Sequence, residues 1–134
     1  MSGAAPVFSS PDDLSPPVGY SHVVGIPAGR LVWTSGQVAL DAEGNLPPDA
    51  GWEGQTRLAL ANVGRALRAG GAEWRDVVKL TFFVVDVSEL PAIRAVRDEF
   101  IDTARPPTSS LVQVAGLFRP DLLIEVEAVA CRPA

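Results

Sequence analysis

The sequence is poor in the side chains that most often carry covalent, metal or redox chemistry. Its 134 residues include one cysteine, Cys131, and one histidine, His22. A lone cysteine cannot form an intrachain disulfide, and a cysteine-rich zinc site is excluded with it. A lone histidine excludes histidine-rich metal sites, so no metal site is expected. A Ser-His-Asp triad would need His22, and no Gly-x-Ser-x-Gly elbow accompanies it. There is no Gly-x-x-x-x-Gly-Lys-Ser/Thr loop, and no Gly-x-Gly-x-x-Gly follows a strand, so nucleotide binding has no support. Basic residues are also few. Eleven Lys and Arg stand against sixteen Asp and Glu, a net charge of −5. A basic nucleic-acid footprint is therefore missing, and an anionic membrane would repel the surface. No run approaches the ~18 apolar residues of a membrane span. The first residues lack the basic and apolar regions of a signal peptide, so the expected location is the cytoplasm.

What is abundant is turn-forming and apolar. Glycine and proline number 12 each, apolar residues make up 47% and charged residues 20%. That balance is globular with many tight turns. The length suits one domain spanning 1–134. Residues 1–17 hold Pro6, Pro11, Pro16 and Pro17 and read as a Pro-rich arm, with room for a short edge strand near Val7-Phe8.

Periodicity orders the rest as β-β-α-β-α-β-β. Residues 22–26 and 31–34 read as two strands of a hairpin around the turn at 27–30. A bulge at Gly36 lets the second continue into 37–40. In 54–69, Leu60, Val63 and Leu67 recur at helical spacing, and Gly70-Gly71 stops the helix. Residues 77–85 are β-branched and aromatic, which suits a central strand. Ser88 is placed to cap a second helix with Pro91 in its first turn and an apolar stripe running to Ile101. Strands over 110–114 and 123–130 follow. The last alternates, with Glu125 and Glu127 on one face and Ile124, Val126 and Ala128 on the other. Both helices connect strands, so they should cover one face of a single sheet. The other face is then a candidate for self-association.

Residue types leave the site open. Glu125 or Glu127 can act as acid or base toward a water, or simply stand on a solvated strand face. Tyr20 follows a Pro-Pro-Val-Gly turn that can lie over a pocket. Ser35-Gly36 offers a hydroxyl and close backbone approach. Arg94 and Arg97, one turn apart, can bind a carboxylate or line a solvated helix face.

Taken in order, several stretches resemble the RidA family, also called YjgF or L-PSP. They are Gly19-Tyr20-Ser21-His22, then Val32-Trp33-Thr34-Ser35-Gly36-Gln37-Val38, then Gln55-Thr56-Arg57-x-Ala59-Leu60-x-Asn62-Val63. Next come Ala69-Gly70-Gly71, Val77-Val78-Lys79-Leu80-Thr81-x-Phe83-Val84-x-Asp86, Pro106-Pro107-x-x-Ser110 and Ile124-Glu125-Val126-Glu127-Ala128-Val129-Ala130. The resemblance implies a chorismate-mutase-like α+β fold, with one mixed sheet and two helices on one face. It implies a homotrimer with small-molecule sites in the clefts between subunits. It further implies cofactor-free hydrolysis of enamines and imines to 2-oxo acids and ammonia. By position, Glu127 matches the glutamate that handles water, and Tyr20, Ser35 and Gly36 match pocket residues. One departure is central. The family's Pro-x-Arg-Ser reads Pro107-Thr108-Ser109-Ser110, so the carboxylate-binding arginine is Ser109 here. Arg105 is about 13 Å away along an extended chain; Arg94 is the better-placed substitute. The expectation is a substrate range altered at Ser109, with a ligand that lacks the carboxylate. The alternative is a binding or pathway accessory protein without deaminase activity. Nuclease activity, attached to some family names, is disfavoured by the charge.

Overall fold

The computed structural model describes residues 5–133. Its six strands are β1 (Val7–Ser9), β2 (Val23–Gly25), β3 (Arg30–Trp33), β4 (Val77–Val84), β5 (Thr108–Gln113) and β6 (Ile124–Arg132), and its two helices are α1 (Trp52–Ala69) and α2 (Leu90–Arg97). Four strands form a mixed sheet in the order β3-β6-β4-β5. β6 runs antiparallel to both neighbours, and β4 and β5 are parallel across the α2 crossover.

The expected hairpin between residues 22–26 and 31–34 does not form. β2 pairs with β1, and β3 pairs with the distant β6. The chain thus carries a separate two-stranded ribbon beside the main sheet, where one sheet was expected. Local turn chemistry cannot distinguish a strand that folds back on its neighbour from one that crosses to a remote partner. Of the arm expected over 1–17, residues 5–17 are irregular except for β1, the edge strand expected there; residues 1–4 lie outside the described residues.

Both helices cover the same sheet face. On α1, Ala59, Leu60, Val63 and Leu67 are fully buried. Its C-terminal turn closes on Gly71, whose φ of 83° is in the region favourable to glycine. α2 ends at Arg97, and Ile101 lies in the turn beyond it. Asp86, not Ser88, makes the capping contact: its carboxylate accepts from the Ser88 amide at the 3-10 turn leading into α2. β4 alternates as its sequence predicts: Leu80, Phe82 and Val84 face the helices and are buried, while Thr81 and Phe83 face the other way. A buried amide links α1 to the entry of β6, since Gln55 donates to Asp121 O and accepts from Leu123 N, both at 2.9 Å. No helix among the described residues is long and apolar enough to cross a membrane.

The second sheet face remains uncovered in the single chain. Leu31, Trp33 and Val112 are 43%, 67% and 45% exposed, and Phe83 and Val129 on the same face are half-buried. Leu31, Trp33 and Val129 lie toward one end of this face and Phe83 and Val112 toward the other, with Lys79, Thr81 and Glu127 between them in the register; exposed side chains of this size make the face a candidate for interaction.

Three surface carboxylates are lowered by their partners in the fold and contribute to its acid response. Arg57 on α1 grips Glu99 beyond α2 through two hydrogen bonds of 2.7 and 3.1 Å, which hold the Glu99 carboxyl below its ordinary value. The Ser88 hydroxyl and amide lower Asp86, and Arg119 lowers Asp121. A carboxyl lowered by folding stabilises the native state above its unfolded pKa, and the contribution disappears as pH falls through the folded value. Melting temperature should therefore hold above about pH 5 and decline below the ordinary carboxylate range of about 4. In Glu99→Gln the decline should be shallower, as read by thermal denaturation at stepped pH. An identical slope would remove the Arg57–Glu99 contribution.

Candidate functional site

The expected site residues fall into two groups on opposite faces of the sheet. The first group lies on the helix face, at its β5 edge. In the parallel register Ser109 pairs with buried Leu80, so its side chain points toward α2. There it lines a cavity of about 200 Å³ with Tyr20, Arg94 and Arg97, over apolar walls that include Phe82 and Leu111. The Tyr20 turn is pinned in place by Ser21. Its amide donates to Pro107 O at 3.0 Å and its hydroxyl to Pro106 O at 2.6 Å, just ahead of β5. Tyr20 also packs edge-on against His22 at 5.2 Å between ring centroids.

Arg94 and Arg97 differ in surroundings. Arg97 is 7% exposed. Its Nε and Nη2 both lie 3.0 Å from Asp98 Oδ1. Arg94 makes no ion pair or side-chain hydrogen bond among the described residues. Arg105 stacks over Phe8 at 4.5 Å from the ring centroid and does not line this cavity.

The second group lies on the uncovered face. β3 ends where Thr34 N donates to Ala128 O at 3.0 Å, and pairing resumes where Gln37 exchanges hydrogen bonds with Val126 at 2.7 and 2.9 Å. Between those points Ser35 and Gly36 stand opposite the single residue Glu127. That is the bulge predicted at Gly36, and it brings Ser35, Gly36 and Glu127 side by side. A Cβ at Gly36 would run into Glu125 Oε2, so any larger residue there would require the Glu125 side chain to move. Glu127 itself is half-buried, lies across from Thr81 on β4, and has no side-chain partner among the described residues.

Tyr20, Arg94 and Ser109 therefore meet, and Ser35, Gly36 and Glu127 meet, but the sheet separates the two sets within one chain. The burial of Arg97 leaves little trace in the sequence. In sequence it has the same helical spacing as a solvated arginine; only the glycine before Tyr20 hints that something large must pass beneath that turn. No cluster of His, Cys, Asp and Glu suited to a metal occurs among the described residues.

The fold and these two residue groups define a small α+β domain with a cation-lined cavity on one sheet face and a glutamate at a bulge on the other. A family model described as Endoribonuclease L-PSP matches residues 11–132, and the chain belongs to this family, also known as RidA or YjgF. The chain is 35% identical over 114 residues to the 2-iminobutanoate/2-iminopropanoate deaminase of Escherichia coli, an alignment covering 83% of this chain and 87% of the relative. A Rid-family protein of unknown function from Yersinia pestis, YyfB, superposes with a TM-score of 0.83 at 35% identity, covering 96% of this chain and all of that one. E. coli TdcF with bound serine superposes with a TM-score of 0.68, also at 35% identity, covering 92% and 93%.

Proposed function

We propose that the protein is a cofactor-free, deaminase-like hydrolase of small enamines, imines or related carbonyl compounds, working at sites shared between subunits of a homotrimer. One observation carries the reading: the carboxylate at the bulge and the ligand cavity are each well formed, yet they lie on opposite sheet faces. A second copy of the chain, docked on the uncovered face, supplies the missing half to each cavity. The relatives' printed names support the chemistry.

In this reading Glu127 accepts a proton from water as the water oxygen attacks the imine carbon. The C=N electron pair moves to nitrogen, which is protonated. The carbinolamine then collapses, the C–N bond breaks, and ammonia and a carbonyl compound leave. An enamine enters the same path after protonation on carbon. Tyr20 and Ser109 hydrogen-bond the ligand, Arg94 reaches the same cavity, and Ser35-Gly36 shape the approach to Glu127. Ser109 in place of arginine alters the substrate range.

The test is ammonia release by the full chain from freshly generated 2-iminobutanoate and from neutral enamines, with sedimentation to establish the assembly. Turnover above the uncatalysed rate by a trimer supports the reading. A stable monomer, or no acceleration with any of these compounds, overturns it. Ligand binding without turnover would favour the accessory-protein alternative, for which the missing arginine at position 109 is the specific observation.

A further inference from the structure

Ser109 removes the cation from β5, but the cavity it lines is not neutral. Two guanidinium groups enter from α2 instead. We infer that Arg97, with Arg94, is the anion-recognition device of this protein, and that the cavity takes a small monocarboxylate with a short aliphatic tail. The inference rests on the proposed function for the substrate's reacting group but not for its charge. It also runs against the simplest expectation from Ser109, which is a substrate without a carboxylate.

Four observations carry it. Arg97 is nine-tenths buried beneath the Tyr20 turn and lines the cavity with Ser109. Its charge is shared with Asp98 through Nε and Nη2 alone. Nη1 makes no hydrogen bond among the described residues, and since no fully buried side-chain nitrogen or oxygen there is left without a partner, Nη1 is not sealed off completely. Arg94, one helical turn earlier, has no counter-ion among the described residues. Two cations against one carboxylate leave the cavity one positive charge in excess. Within partly buried walls a carboxylate can match that excess with charge-assisted hydrogen bonds.

Gly19 makes the arrangement possible. Its φ is 76°, and a Cβ there would run into Arg97 Nη2. The turn before Tyr20 therefore lies directly against the guanidinium and keeps it from swinging out to solvent. The remaining walls, Val18, Phe82, Leu90, Ile93 and Leu111, are apolar. They suit an alkyl tail and reject a second charge, because an unpaired charge buried there would lose its hydration.

The experiment compares pentanoate with its neutral isostere pentanamide by calorimetry on the intact protein. Pentanoate should bind at least about tenfold more tightly than the amide. Arg97→Met should weaken pentanoate by about 10²-fold and Arg94→Met by about tenfold, the range expected when a charge partner is truncated. Both variants should weaken amide binding far less than pentanoate binding, whereas a merely structural role for the arginines would weaken both alike. Arg97→Met combined with Ser109→Arg should recover pentanoate binding, because a cation reaching in from β5 would serve the same cavity. Arg97→Lys keeps the charge and guards against a folding failure in Arg97→Met. Equal binding of acid and amide, no binding of pentanoate, or pentanoate affinity unchanged in Arg97→Met would overturn the inference. Failure of the proposed function looks different: no imine turnover while pentanoate binding and its dependence on Arg97 persist.

Discussion

Glu127→Gln is expected to lower turnover by about 10²- to 10⁴-fold, the usual contribution of a positioned general acid–base group. Glutamine preserves shape and can still hydrogen-bond a water, but it cannot accept a proton. The fold should be unaffected, because Glu127 is half-buried and holds no ion pair or side-chain hydrogen bond among the described residues. Melting temperature should therefore match the parent, and pentanoate should still bind. Glu125→Gln is the informative control. Its carboxylate packs over Gly36 on the same face, and its replacement should cost less than about tenfold if Glu127 is the group that takes the proton. The separation of the two residue groups adds a stricter consequence. Glu127→Gln and Tyr20→Ala subunits, each inactive alone, should regain part of the activity when unfolded together and reassembled. A mixed trimer then contains some clefts with both wild-type halves. Absence of complementation in assembled mixed trimers would confine the site to a single chain, and Glu127 could not then act on a ligand in the cavity beneath α2.

Phe82→Ala should be the most damaging single change to stability. Phe82 is 2% exposed, sits in β4 between β5 and β6, and forms part of the cavity floor. Truncating a buried phenylalanine removes transfer free energy and leaves a void, typically about 3–5 kcal/mol. With a urea slope of about 1–3 kcal/mol per molar for a small domain, the unfolding midpoint should fall by more than about 1 M. Because the void adjoins the ligand cavity, pentanamide binding should weaken in the same variant. Denaturant titration with and without the amide measures both effects. A midpoint within about 0.3 M of the parent would mean that the core closes around the missing ring.

Much of this arrangement is legible in the residues. The helical spacing of Leu60, Val63 and Leu67 identifies the buried stripe of α1. The alternation in β4 and β6 assigns Phe82 to the core and Glu125 and Glu127 to the opposite face. The bulge at Ser35-Gly36 is also readable, because a glycine interrupts a strand pattern. These features are local: side-chain periodicity follows from helix and strand geometry, whatever the chain packs against.

The partners of each element are not local. The short apolar runs of β2 and β3 flank a Pro/Gly turn like a hairpin, yet β3 gains more by pairing with β6, where it extends the main sheet over α1. The same limit governs the site. The sequence by itself determined the family, the two helices, the buried stripes of the core and the acidic balance of the chain. Only the tertiary structure decided that Ser109 and Glu127 point to opposite faces, and that Arg97 is buried beneath Gly19 instead of solvated. Both depend on strand register and on the close approach of a remote turn. Those are properties of packing between segments far apart in the chain, and no periodicity within a segment encodes them.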